Sequence, residues 1–218
     1  MMSPAVKRAT AVVLLGPSGA GKSPLGDILS RRGLWGRPCR HFDFGAQLRR
    51  AAAGQLASVL SRGEAEFVRE LVRTGSLLED EHFSIARRIL TAFLDEPAAS
   101  DDEWVVLNGL PRHIGQAKGV EEIIRVEAVV ELSCTADVAL RRIAMNAEGD
   151  RAGRPDDDAA SVLRRFEVYR RRAAPLVDHY RAVGRRVEVL NVDADSAASA
   201  LWEELQRRGG APKEKQTC

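Results

Sequence analysis

The sequence predicts an α/β fold with a parallel sheet between helices, and three observations carry that prediction. Short, continuous apolar runs recur along the chain, segments of helical periodicity alternate with them, and each run ends in turn or cap residues. Residues 10–15 (TAVVLL), closed by Gly16, form the clearest run and read as a strand buried on both faces. Residues 103–108, 126–132 and 186–192 repeat the pattern, and residues 40–44 form a weaker fifth. Between them, helical spacing is expected over residues 23–32, 46–53, 78–94, 136–145 and 196–207. Strands that alternate with helices imply right-handed crossovers. From 159 to 180, Val162, Phe166, Tyr169, Ala173, Leu176 and Tyr180 form one helical stripe, which Pro175 bends or restarts.

Length and composition bound the function. The 218 residues fit one domain with a continuous core; 44% are hydrophobic and 29% charged, which excludes a disordered chain. With 33 basic and 31 acidic residues the net charge is +2, so no globally basic surface for nucleic acid is expected. Cys39, Cys134 and Cys218 are odd in number and hold no C-x-x-C pair, which fits a reducing cytosol, and Cys39 with His41 supplies too few ligands for a metal. Lys7 and Arg8 precede an apolar run too short for a leader or a membrane span. A cytoplasmic monomer is the expectation. Residues 44–75 and 146–158 fit no core strand or crossover helix and are candidate movable flaps, and residues 209–218 form a polar, frayed tail.

Gly16-Pro17-Ser18-Gly19-Ala20-Gly21-Lys22-Ser23 matches G-x-x-x-x-G-K-[ST] between a buried strand and a helix, the context this phosphate-binding loop requires. Glycines let successive N–H groups of Gly16, Ser18, Gly19, Ala20 and Gly21 converge on phosphate oxygens, Lys22 reaches the β- and γ-phosphates, and the Ser23 hydroxyl can ligate Mg²⁺. Pro24 falls in the first helical turn, where its missing N–H costs little. A phosphate cradle implies ATP without saying what becomes of it. Arg49, Arg112, Arg154 and Arg165 all flank the ends of predicted strands, where planar guanidinium groups could neutralise and align two phosphates.

Together these residues resemble the adenylate kinase family of nucleoside monophosphate kinases, short-lid type, over nearly the whole chain. Residues 45–49 (GAQLR) are similar to its G-[DE]-x-L-R segment, and 108–112 (NGLPR) with Gln116 to its D-G-[FY]-P-R-x-x-x-Q. Residues 74–78 followed by Asp80-Glu81 resemble A-G-x-x-[VL]-x-D-E, residues 153–157 (GRPDD) resemble the lid element S-G-R-x-D-D, and Arg165 with Phe166 and Tyr169 matches R-x-R-[LF]-x-x-Y. The resemblance implies a three-layer P-loop fold with a five-stranded parallel sheet, an acceptor-binding insertion at 44–75 and a short lid at 146–158. It implies Lys22, Arg112, Arg154 and Arg165 as catalytic residues and Arg142 as the residue that stacks on the donor adenine. Phe44, Arg49, Gly109, Arg112, Gln116 and Arg165 would line the acceptor site, with Gln116 reading the base.

Several positions depart from that pattern. Asn108 stands where the family has an Asp that orients Mg²⁺-bound water; it can still bond water but lacks a charge worth about 4 kcal/mol at ~4 Å and an effective dielectric of ~20. Weaker Mg²⁺ dependence is expected unless Asp43, at the end of a neighbouring strand, substitutes. Asn146 replaces the first lid arginine, a contact Arg151 could supply. Phe44 and Ala46 replace a small hydroxyl residue and an acidic one, and Phe44 could stack on a base, exclude one or belong to the core. Three functions fit: a nucleoside monophosphate kinase, a kinase of a non-nucleotide small molecule, and a catalytically weak nucleotide-binding regulator.

Overall fold

The computed structural model describes residues 8–146 and 159–209. Its sheet has five parallel strands, β1 (Thr10–Leu15), β2 (Cys39–Asp43), β3 (Trp104–Asn108), β4 (Arg125–Ser133) and β5 (Arg186–Asn191), in the order β2-β3-β1-β4-β5. Each expected strand is present to within a residue or two. The chain leaves β1 for β2 on one side and later crosses β1 to β4 on the other, so strand order reverses at β1 and a crevice opens at the C-terminal ends of β1, β3 and β4.

Burial on both faces explains the unbroken apolar runs. Ala11, Val13 and Leu15 face one core with Phe42, Val105, Leu107 and Val129, whereas Val12 and Leu14 face a second with Val106, Ala128, Val130 and Leu132. Helices α1 (Lys22–Arg32) and α9 (Ala198–Arg208) cover the second face through Leu25, Leu29, Leu201 and Leu205. The first face is covered by α2 (Phe44–Ala52), α3 (Arg62–Thr74), α4 (Phe83–Leu94), α5 (Ile114–Ile123) and α8 (Pro175–Ala182). Helices α6 (Ala136–Met145) and α7 (Ala159–Val168) border residues 147–158, which lie outside the described residues together with most of the expected lid and Arg151, Arg154, Asp156 and Asp157.

Local chemistry sets the differences from expectation. Helix α4 starts at Phe83, after a 3₁₀ turn over Asp80–His82, rather than at residue 78. Helix α5 escapes the apolar pattern because glycines interrupt it: a Cβ at Gly119 would lie 2.3 Å from the Phe83 ring, and one at Gly115 2.4 Å from the Asp80 carboxylate. The expected flap at 44–75 divides into α2 and α3, the latter started by a Ser61–Glu64 capping box, and both lie in the β2–β3 crossover. Leu48, Ala51, Val68 and Leu71 tie these two helices to the core. Past α7 the helix widens over Tyr169–Ala173, where Ala174 N donates to Tyr169 O at 3.0 Å, and Pro175 restarts it as α8. Among the described residues no helix is long and apolar enough to cross a membrane.

Candidate active site

The phosphate-binding loop occupies the turn between β1 and α1. Gly16, Gly19 and Gly21 all have positive φ (145°, 90° and 94°), and space enforces the first two: a Cβ would lie 2.7 Å from Leu132 O at Gly16 and 2.8 Å from Ala139 O at Gly19. Pro24 is the third residue of α1, where no intrahelical partner awaits its N–H. The Lys22 ammonium folds over the start of the loop, donating to Gly16 O at 2.7 Å and Pro17 O at 2.8 Å.

Beside the loop, a polar cluster joins the ends of β2 and β3 to the start of α1. Asp43 and Asn108 are register partners at the ends of β2 and β3. The Ser23 hydroxyl donates to Asp43 Oδ2 at 2.7 Å, and Asn108 Nδ2 donates to Ser23 Oγ and to Asp43 Oδ2, both at 3.0 Å. The other carboxylate oxygen, Oδ1, accepts from Ala46 N at 2.8 Å, so Asp43 also caps α2. Burial raises the Asp43 pKa, yet the bonds from Ser23 and Ala46 and the charges of His41 and Arg49 outweigh it, and the carboxyl titrates below its ordinary value. His41 backs the cluster: Nδ1 is 2.8 Å from Asp27 Oδ1, and Nε2 is 3.5 Å from Asn108 Nδ2. Gly26 makes room for that ring, since a Cβ there would lie 2.3 Å from His41 Nε2.

Two of the four expected arginines, Arg49 and Arg112, lie near this carboxylate, and Arg165 lies near Arg112. Arg112 is tethered through Nε to Gly109 O at 2.9 Å; desolvation lowers its pKa, Asp43 raises it and Arg165 lowers it again. Arg49 Nη1 and Asp43 Oδ1 both border Gly45, 3.4 Å and 3.2 Å from where its Cβ would be. One anion therefore serves as countercharge to Arg49 and Arg112, with Arg165 close enough to repel Arg112. Such a surplus of positive charge beside a glycine-lined nest suits polyanionic ligands.

The adenylate kinase of Synechococcus sp. (strain WH7803) is 31% identical over 202 residues, which span 89% of this chain and 96% of that protein. That of Sinorhizobium medicae (strain WSM419) is 32% identical over 205 residues, 90% of this chain and 97% of its own. Adenylate kinase 1 of Nostoc sp. (strain PCC 7120) is 28% identical over 207 residues, covering 93% and 100%. This chain belongs to the adenylate kinase family. No family model matches it. Membership makes it a nucleotide-binding phosphotransferase of the kinase class.

Against the adenylate kinase pattern, several side chains are committed elsewhere. Phe44 is 1% exposed and stacks on Phe42 with ring centroids 6.1 Å apart, so in this conformation its ring packs in the core. Gln116 is buried, with Oε1 accepting from Arg112 N at 2.9 Å and Nε2 donating to Leu78 O at 2.8 Å, so in this conformation its amide braces the β3–α5 loop. Arg142 ties the phosphate loop to the β5–α9 connection, donating to Gly19 O at 3.1 Å and Ser196 O at 2.7 Å. Asn146 is the left-handed C-cap of α6 (φ 42°), a conformation that favours Asn over Arg. Sequence reasoning did not find Asp27 and His41 as supports; a histidine two residues before Asp43 on a buried strand was the available sign.

Proposed function

We propose that this kinase transfers the γ-phosphoryl group of Mg·ATP to a nucleoside monophosphate. The observation that supports this best is the junction at Asp43, which bonds Ser23 of the donor loop and is countercharge to Arg49 and Arg112. Loop amides and Lys22 would hold the donor phosphates; Arg49, Arg112 and Arg165 would grip the acceptor phosphate, with Arg154 arriving from the lid. An acceptor phosphate is already a nucleophilic anion, so this chain needs no general base. Its residues orient two anions in line, neutralise charge and exclude water. The edge of Arg142 is held by main-chain carbonyls, and its plane would meet the donor base.

Magnesium fits the residues present. No trio of His, Cys, Asp or Glu gathers as a metal site among the described residues, while the Ser23 hydroxyl and the single Asp43 carboxylate, to both of which Asn108 Nδ2 donates, supply oxygen ligands that suit a cation which keeps waters and takes phosphate oxygens. Bound there, it would supply charge neutralisation to the ATP phosphates.

One observation favours a second reading: a carboxylate amid the acceptor arginines could serve as general base for a hydroxyl-bearing small molecule. Three donors on Asp43 and its lowered pKa weaken it as a base, which ranks this reading second. A panel of nucleoside monophosphates and of small alcohols, assayed with ATP and Mg²⁺ for diphosphate or phosphoester product, separates the two. Phosphoester product with no monophosphate turned over refutes the first.

A further inference from the structure

We propose that the negative charge which secures the ATP-bound magnesium ion belongs to Asp43 on β2, and that the Asp43–Asn108 register pair works as one carboxylate–carboxamide unit, Asn108 presenting the carboxylate. The inference rests on the donor half of the proposed function, ATP binding with magnesium, and is independent of the acceptor.

Hydrogen-bond arithmetic carries the argument. A serine hydroxyl has one proton and two lone pairs. The Ser23 proton goes to Asp43 Oδ2, and one lone pair accepts from Asn108 Nδ2, which leaves one lone pair for a cation. A hydroxyl that donates to a carboxylate becomes a better oxygen ligand, since the anion stabilises positive charge gathered on it. Asp43 itself offers about four acceptor sites. Ala46 N, Ser23 Oγ and Asn108 Nδ2 fill three of them, and the one left can take a metal-bound water.

Asn108 is a positioning residue in this unit. It is 4% exposed, and its Nδ2 donates to both Asp43 and Ser23, with His41 Nε2 3.5 Å away. His41 packs behind that amide, its Nδ1 2.8 Å from Asp27 Oδ1. An aspartate at 108 would bring a second carboxylate to within contact of Asp43 and meet it with like charge; the carboxamide instead donates to it. Asn108, backed by His41 and Asp27, therefore holds in place the carboxylate that touches the loop serine.

The test measures affinity of a non-hydrolysable ATP analogue by calorimetry with and without Mg²⁺, and Mn²⁺ binding by electron paramagnetic resonance with the analogue present. Asp43→Asn is chosen because Asn also caps helices well, so α2 keeps its start. In Asp43→Asn the tightening of the analogue by Mg²⁺ should fall by about 10- to 100-fold, the scale of losing a residue that hydrogen-bonds a metal's ligands. Affinity without Mg²⁺ should hold or rise, because a charge near the triphosphate is gone. The Asp43→Asn/Asn108→Asp double variant, which moves the charge across the register pair, should regain most of the tightening and the Mn²⁺ signal. Retained tightening in the single variant overturns the proposal, as does a parallel loss of Mg²⁺-free affinity or a double variant no better than the single. A negative acceptor panel alongside these expected results would sink the monophosphate reading and leave this one standing.

Discussion

Arg112 offers a test in which the structure separates catalysis from stability. Arg112→Ala deletes a guanidinium that spends only Nε on the protein, at Gly109 O; its other four N–H groups make no hydrogen bond with the described residues. If those groups meet charge that grows on the transferring phosphoryl, their loss should cost about 2.7–4 kcal/mol, or roughly 10²–10³ in turnover, as for other preorganised charge-stabilising donors. The folded protein should scarcely notice. Truncation forfeits the tether, worth about 1 kcal/mol, but also relieves the desolvation of Arg112 and its repulsion from Arg165, against which stands the lost attraction to Asp43. Net destabilisation should lie within about 1 kcal/mol. Arg112→Lys keeps charge without the fork and should recover little, because one ammonium cannot both reach Gly109 O and clasp a phosphate. Initial rates with ATP and a monophosphate, beside urea melts, give both numbers. A rate loss below about threefold would refute the bridging role, far under the range for such donors; destabilisation above about 3 kcal/mol would make Arg112 a structural strut.

Lys22→Ala should abolish transfer while the melting curve stays near wild type, since Lys22 bonds two carbonyls of its own loop; near-wild-type turnover would remove that loop from the mechanism. Arg172 grips Glu79 through both oxygens, at 2.7 and 2.6 Å, and holds its pKa below the ordinary 4.5. Because the pair is largely solvated, Glu79→Gln should cost no more than about 1 kcal/mol near neutral pH. That difference exists above the unfolded pKa and should vanish as pH falls through the lowered folded value, so urea melts that still differ at full protonation would contradict the pairing. Burial pushes the Cys39 thiol up to about 12. At pH 8 its thiolate fraction is then about one in ten thousand. Alkylation followed by peptide mass spectrometry should find Cys39 unlabelled until the protein unfolds; labelling at the rate of a free thiol would place it at the surface.

The fold was legible because each strand carries its own evidence. Residues 10–15 are apolar throughout since both faces of β1 are buried, and no distant partner is needed to recognise that. Helix α5 was not legible for the opposite reason. Gly115 and Gly119 look like breakers in isolation and become necessary only beside Asp80 and Phe83, which the chain brings from more than 30 residues away. Gln116 shows the same limit within the site. Its motif points to a ligand, whereas its two amide contacts, one of them to Leu78 O, are set by tertiary packing.

Asn108 makes the sharper case, because a position-by-position comparison counts a charge as lost there. Chain neighbours cannot repair that loss, and the residue that answers it lies 65 positions earlier. What matters to a cation is where negative charge sits in space, and parallel pairing puts the ends of adjacent strands about 4.8 Å apart. A carboxylate on β2 can thus occupy nearly the same electrostatic position as one on β3, provided a donor on β3 turns it toward the loop serine. Asn108 is that donor, at 3.0 Å from both groups. The departure at 108 and the aspartate at 43 are then one change seen at two places, and substituting either alone should disturb magnesium more than substituting both.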